Sequence, residues 1–123
     1  MDNIIKTNDL SVAAHRGYSS HYPENALLAF EKAIDVGVDM LEFDLRLSKD
    51  KQIVIIHDKT IDRTSNGVGD VNNFTLEELK SFDFGNGQKI PTLRDLCQII
   101  EIKKPLLNVE IKRQKNWRFT VDE

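Results

Sequence analysis

Ionisable side chains gather at four points where an apolar run gives way to a polar loop: His15-Arg16, Glu42 with Asp44, His57-Asp58, and Glu110 with Lys112. Glu42 and Asp44 stand two residues apart. On an extended strand that spacing puts both carboxylates on one face, roughly 7 Å apart at the backbone. There they could share a hard divalent cation. Without a cation they repel, and burying either is costly. A solvated face of an antiparallel strand would carry the same pair, so this pair alone leaves both readings open. Glu110, in a separate run with the same alternation, adds a third carboxylate. Three carboxylates with no thiol among them favour calcium or magnesium over zinc.

His15 and His57 are two of three histidines. Imidazole titrates near neutrality and can give or take a proton, so two of them flanking a metal-bound phosphate would form an acid–base pair. A lone histidine is nevertheless more often structural than catalytic, and His21 is read as non-catalytic. Arg16 has the planar donor fork that suits phosphate oxygens, and Lys112 would serve as a point charge. Ordinary surface ion pairs are the alternative for both. Asp58 is read as capping or bracing its turn rather than binding metal. Cys97, among apolar residues, is expected to be a buried, inert thiol.

The elements that must position these groups alternate between strand-like and helix-like runs, which favours an α/β fold with a largely parallel sheet. Ser11 to Ala14 reads as a strand ending at His15. Pro23 suits the first position of a helix. Leu27, Phe30 and Ile34 continue the helix at its own spacing, with Gly37 as its stop. Met40 to Leu47 alternates strictly, with Leu41, Phe43, Leu45 and Leu47 on one face and Glu42, Asp44 and Arg46 on the other. Gln52 to Ile56 is a second strand. The link between the two is too short for a crossover helix, so a hairpin is expected. Thr75-Leu76-Glu77-Glu78 has capping-box form and predicts a short helix through Ser81. Pro91-Thr92 opens a helix carrying Leu93, Leu96 and Ile100, and Leu106 to Lys112 reads as a strand.

Composition bounds the function classes. At 123 residues the chain holds one modest domain. A 40% hydrophobic and 30% charged content is that of an ordinary globular protein rather than a disordered one. The formal charge of −3, from 17 basic and 20 acidic residues, argues against a nucleic-acid or anionic-membrane binder. No apolar run approaches a membrane span, no secretory signal is visible, and a single cysteine excludes an internal disulfide. A cytoplasmic location is the default expectation.

The segments Ala14-His15-Arg16-Gly17, Pro23-Glu24-Asn25, Leu41-Glu42-Phe43-Asp44, Val54-Ile55-Ile56-His57-Asp58, Arg63-Thr64, Ile90-Pro91-Thr92-Leu93 and Val109-Glu110-Ile111-Lys112 occur in this order between residues 14 and 112. In that register the sequence resembles the glycerophosphodiester phosphodiesterase family, within the wider phosphatidylinositol phospholipase C superfamily. The resemblance implies a (β/α)8 barrel with its site at the C-terminal ends of the strands. It implies that His15 and His57 are the acid–base pair. Glu42, Asp44 and Glu110 would ligate one Ca²⁺ or Mg²⁺, and Arg16 and Lys112 would contact the substrate phosphate. The implied reaction cleaves a glycerophosphodiester to sn-glycerol 3-phosphate and an alcohol. Residues 59–89 correspond to a small insertion, and 113–123 to a tail that departs from the family.

A complete barrel takes about 250 residues. The expectation is therefore a single domain, 1–123, incomplete at its C-terminus and spanning about the first half of the barrel. Open sheet edges would then allow self-association. Two further readings stand beside the phosphodiesterase: an inactive remnant or interaction module of the same family, and a related phospholipase-type phosphodiesterase.

Overall fold

The strict alternation at 40–47 does build the strand on which the rest of the sheet depends. The computed structural model describes residues 4–6, 12–103 and 106–111. Five strands form one mixed sheet: β1 (Ile4–Lys6), β2 (Val12–His15), β3 (Met40–Leu47), β4 (Ile53–Ile55) and β5 (Leu106–Ile111). β3 lies parallel to β2 and to β5. β4 runs antiparallel to β3, as the short link predicts, and β1 antiparallel to β2. β1 has no counterpart in the sequence reading, because three residues are too few to show a period.

Two βα units set the architecture. Helix α1 (Leu27–Val36) connects β2 to β3, and helix α3 (Leu93–Lys103) precedes β5. A short helix, α2 (Leu76–Lys80), lies between β4 and α3. α1 buries Ala29, Phe30 and Ala33 and ends at Gly37, whose φ of 91° is left-handed and whose N–H caps the Ala33 and Ile34 carbonyls. Phe30 meets Phe43 edge to face at 5.8 Å and 78°. Such a pair contributes about 0.5–1.5 kcal/mol beyond its buried area. Leu41, Phe43, Leu45, Ile55 and Leu96 complete this first core.

The two helices after β4 are fixed by local sequence. Thr75 Oγ1 accepts from the Glu78 N–H, and Glu78 Oε1 accepts from the Thr75 N–H, which is the capping box the spacing predicts. Thr92 and Asp95 repeat that reciprocity at the start of α3, at 2.9 and 3.0 Å. A second apolar cluster, Val54, Ile56, Ile61, Val71, Leu79, Phe84 and Ile90, packs the segment between β4 and α3.

Two expectations are corrected. Pro23 does not open a helix: α1 starts at Leu27, with Ala26 as N-cap. Asn25 takes a φ of 57°, which a right-handed helix cannot pass through. Cys97 is exposed rather than buried. The inward stripe of α3 centres on fully buried Leu96, with Leu93 and Ile100 beside it, and leaves Cys97 on the rim. Among the described residues, no helix is long and apolar enough to cross a membrane.

Candidate active site

β2 and β3 place their polar groups side by side because parallel strands in register put partner residues next to each other. His15 is the Cα partner of Glu42. Its Nε2 lies 3.3 Å from Glu42 Oε2, with the imidazole 43% and the carboxylate 12% exposed. The chain then turns sharply. Arg16 has a φ of 57° and Gly17 a φ of 76°. A non-glycine residue held in the left-handed region is a local strain typical of functional sites. That turn aims the Arg16 N–H at Glu42, 2.7 Å from its carbonyl and 3.2 Å from Oε2. It also brings the Arg16 guanidinium over Asp44, with Nε 3.7 Å from Oδ2.

Asp44 is fully buried. The polar face of β3 is therefore not a solvated face. Asn25 donates its amide N–H to Asp44 Oδ2 at 3.1 Å. The left-handed turn at Asn25 that ends any helix from Pro23 is thus the turn that delivers this donor. Glu110 is the Cα partner of Asp44 across β3 and β5, and Asn108 the partner of Glu42.

His57 lies two residues beyond β4, the strand antiparallel to β3. The Ile56 N–H donates to the Asp44 carbonyl at 3.0 Å. Arg46, next along the polar face of β3, donates Nε and NH2 to the His57 carbonyl at 3.0 and 2.8 Å. Asp58 lies 2.8 Å from His57 Nδ1, so it braces the turn as expected. Arg63 then bridges Asp58 to Glu24. It gives Nε and NH2 to Asp58 at 2.8 and 3.0 Å, and NH1 and NH2 to Glu24 at 2.8 and 2.9 Å. Glu24 Oε2 also accepts from Arg16 NH1 at 3.3 Å.

The charges in this network support one another. The Arg63 bonds hold the Asp58 carboxyl well below the usual carboxylate range, against a smaller desolvation effect, with the His57 contact helping. Burial by itself would raise Glu24; the Arg63 bonds and the charges of Arg16 and Arg63 outweigh it and lower the group. The same two carboxylates raise Arg63 above its ordinary value.

The expected site residues thus fall into three groups. His15, Arg16, Glu42 and Asp44 are brought into direct contact. His57 joins them through Asp58, Arg63 and Glu24. Glu110 enters by register with Asp44, and Lys112 lies outside the described residues. Among the described residues no three His, Cys, Asp or Glu side chains form a metal-sized cluster. The donor set nonetheless fits a hard cation. Glu42 and Asp44 are carboxylates largely removed from water, and a third occupies the register position beside Asp44. Glu24, Asn25, Arg46 and Arg63 were given no role from sequence. Three of them lie in segments that carry the family resemblance, the signal that could have marked them.

Comparisons with known proteins identify the family. The model of the Glycerophosphoryl diester phosphodiesterase family matches residues 15–122. A glycerophosphodiester phosphodiesterase of Caldanaerobacter subterraneus subsp. tengcongensis is 47% identical over 108 residues, covering 82% of this chain and 44% of that protein. The chain thus spans less than half the length of this relative. Among solved structures, an Oleispira antarctica phosphodiesterase in complex with the product sn-glycerol-3-phosphate superposes with a TM-score of 0.79 at 36% identity, over 81% of this chain and 43% of that one. A glycerophosphodiester phosphodiesterase from Agrobacterium tumefaciens superposes with a TM-score of 0.78 at 31% identity, over 82% and 46%. The family match and the likeness of fold lead to one assignment: the chain belongs to the glycerophosphoryl diester phosphodiesterase family, whose fold is the TIM barrel, and covers part of that barrel.

Proposed function

We propose that this site hydrolyses glycerophosphodiesters to sn-glycerol 3-phosphate and an alcohol. The observation that carries the reading is the meeting of His15 and Arg16, at the end of β2, with Glu42 and Asp44, within β3, and with His57 tied to them. The solved Oleispira antarctica relative, which holds sn-glycerol-3-phosphate, supports the product class.

In this reading the glycerol hydroxyl beside the phosphate attacks phosphorus, and the bond from phosphorus to the alcohol oxygen breaks. A cyclic phosphate results, which water opens. One of His15 and His57 takes the proton from the attacking hydroxyl, and the other gives one to the leaving oxygen. Arg16, braced by Glu24 and Asp44, holds the phosphate oxygens, with Lys112 as the second cation. Glu42, Asp44 and Glu110 would hold a Ca²⁺ or Mg²⁺, which when bound stabilises charge on the phosphoryl oxygens.

Glycerophosphocholine hydrolysis by the full chain tests this, with Ca²⁺ or Mg²⁺ and again after chelation. The expected result is metal-dependent release of glycerol phosphate that His15→Ala abolishes. A second reading rests on one observation, the 44% share of the Caldanaerobacter relative that the chain spans. It is a family segment without turnover of its own. Folded chain that binds the cation and releases no glycerol phosphate would favour it.

A further inference from the structure

Arg63 spends four hydrogen bonds on two carboxylates, although half of its side chain is exposed (51%). Exposed ion pairs contribute little to stability. A four-bond bridge that ties Asp58 to Glu24, itself 39 residues from Arg63 in sequence, is better explained by what it orients. We infer that Arg63 is a positioning residue: through Asp58 it fixes His57 with the proton on Nδ1 and Nε2 free, and through Glu24 it fixes Arg16. The inference deepens the phosphodiesterase reading and rests on it for the roles of His57 and Arg16.

Asp58 Oδ1 lies 2.8 Å from His57 Nδ1 and also accepts from Arg63 NH2 at 3.0 Å. An ionised carboxylate only accepts, so the proton between Asp58 and His57 sits on Nδ1. A neutral imidazole then has its lone pair on Nε2, the atom free to exchange a proton with a substrate oxygen. The backbone beneath the ring is held as well, by the two Arg46 bonds to the His57 carbonyl. On its other side Arg63 holds both oxygens of Glu24, and Glu24 Oε2 receives Arg16 NH1. A lysine could meet the carboxylates only as a point charge, without the paired bonds of the planar fork that fix their orientation.

The test is a long-range ¹H–¹⁵N correlation spectrum of the ¹⁵N-labelled full chain, recorded above the imidazole titration range. It reads the tautomer directly and needs no substrate. The expected spectrum has His57 protonated at Nδ1. Arg63→Met and Asp58→Ala should move it to a mixture of tautomers. Arg63→Met should also shift the Arg16 Nε–H signal, while Glu24→Gln shifts Arg16 and leaves His57 alone. The inference is overturned if His57 in the unsubstituted chain carries its proton on Nε2, or if Arg63→Met leaves both signals in place. Where Arg63→Met or Asp58→Ala fails to fold, the tautomer of the unsubstituted chain decides. An Nδ1–H His57 in a chain that hydrolyses nothing would separate failure of the phosphodiesterase reading from failure of this one.

Discussion

His15 and Glu42 are register partners on adjacent parallel strands, and their side chains meet at 3.3 Å. The expected metal ligand and the expected proton-transfer group are therefore held by the same sheet ladder. Glu42→Gln keeps the shape and removes the charge. In a calorimetric titration with Ca²⁺ or Mg²⁺ it should weaken binding on the order of tenfold or more, the scale seen when groups supporting a metal are lost. Unchanged affinity would remove Glu42 from the metal set.

Acid stability follows from carboxyls held by cations, Asp58 and Glu24 by Arg63 and Asp95 by Lys80. The carboxyls of Asp58, Glu24 and Asp95 all stand below their ordinary values in the folded chain. A lowered carboxyl contributes stability that is fully present above its unfolded value, near 4, and is lost as pH falls towards the folded one. Urea midpoints should therefore hold from neutrality to about pH 5 and then decline. Asp58→Asn should flatten that decline, and a chain that gains stability on acidification would contradict the charge network.

Gly17 occupies a place where a side chain meets two obstacles. Its φ is 76°, and an added Cβ would sit 2.8 Å from the Ala29 backbone carbon. The left-handed conformation alone costs a non-glycine residue about 1–2 kcal/mol. Gly17→Ala should lose more than that in denaturant unfolding, because α1 must also move away. A loss below about 1 kcal/mol would mean that the turn relaxes freely.

Thr75→Ala offers a milder control far from the site. It removes the hydroxyl that accepts the Glu78 N–H and should cost about 1 kcal/mol. Metal affinity should not change, and a change would show that α2 communicates with β3.

Period and capping chemistry were legible because they are local. Residues 40–47 alternate strictly and form β3 over those limits. Thr75 and Glu78 are three apart and form the expected box. The His15 and Glu42 pairing was foreshadowed only as a shared feature of strand ends, since register between separate strands is not written in either. The Arg63 bridge was beyond reach for the same reason: its partners lie at positions 24 and 58, and only the folded loops bring them together. The error at Pro23 shows tertiary demand overriding a local rule. Asn25 is drawn into a left-handed turn by its bond to Asp44, and the helix waits until Leu27. At Cys97 the neighbours are apolar in sequence, but the residue is exposed in space.

β4 stands between the two apolar clusters. Ile55 belongs to the first, with Ile53 packed against it, while Val54 and Ile56 belong to the second. Loosening either cluster leaves this short strand anchored by the other. In native-state hydrogen exchange, the paired amides of 54–56 should be among the slowest to take up deuterium, opening only with the whole molecule.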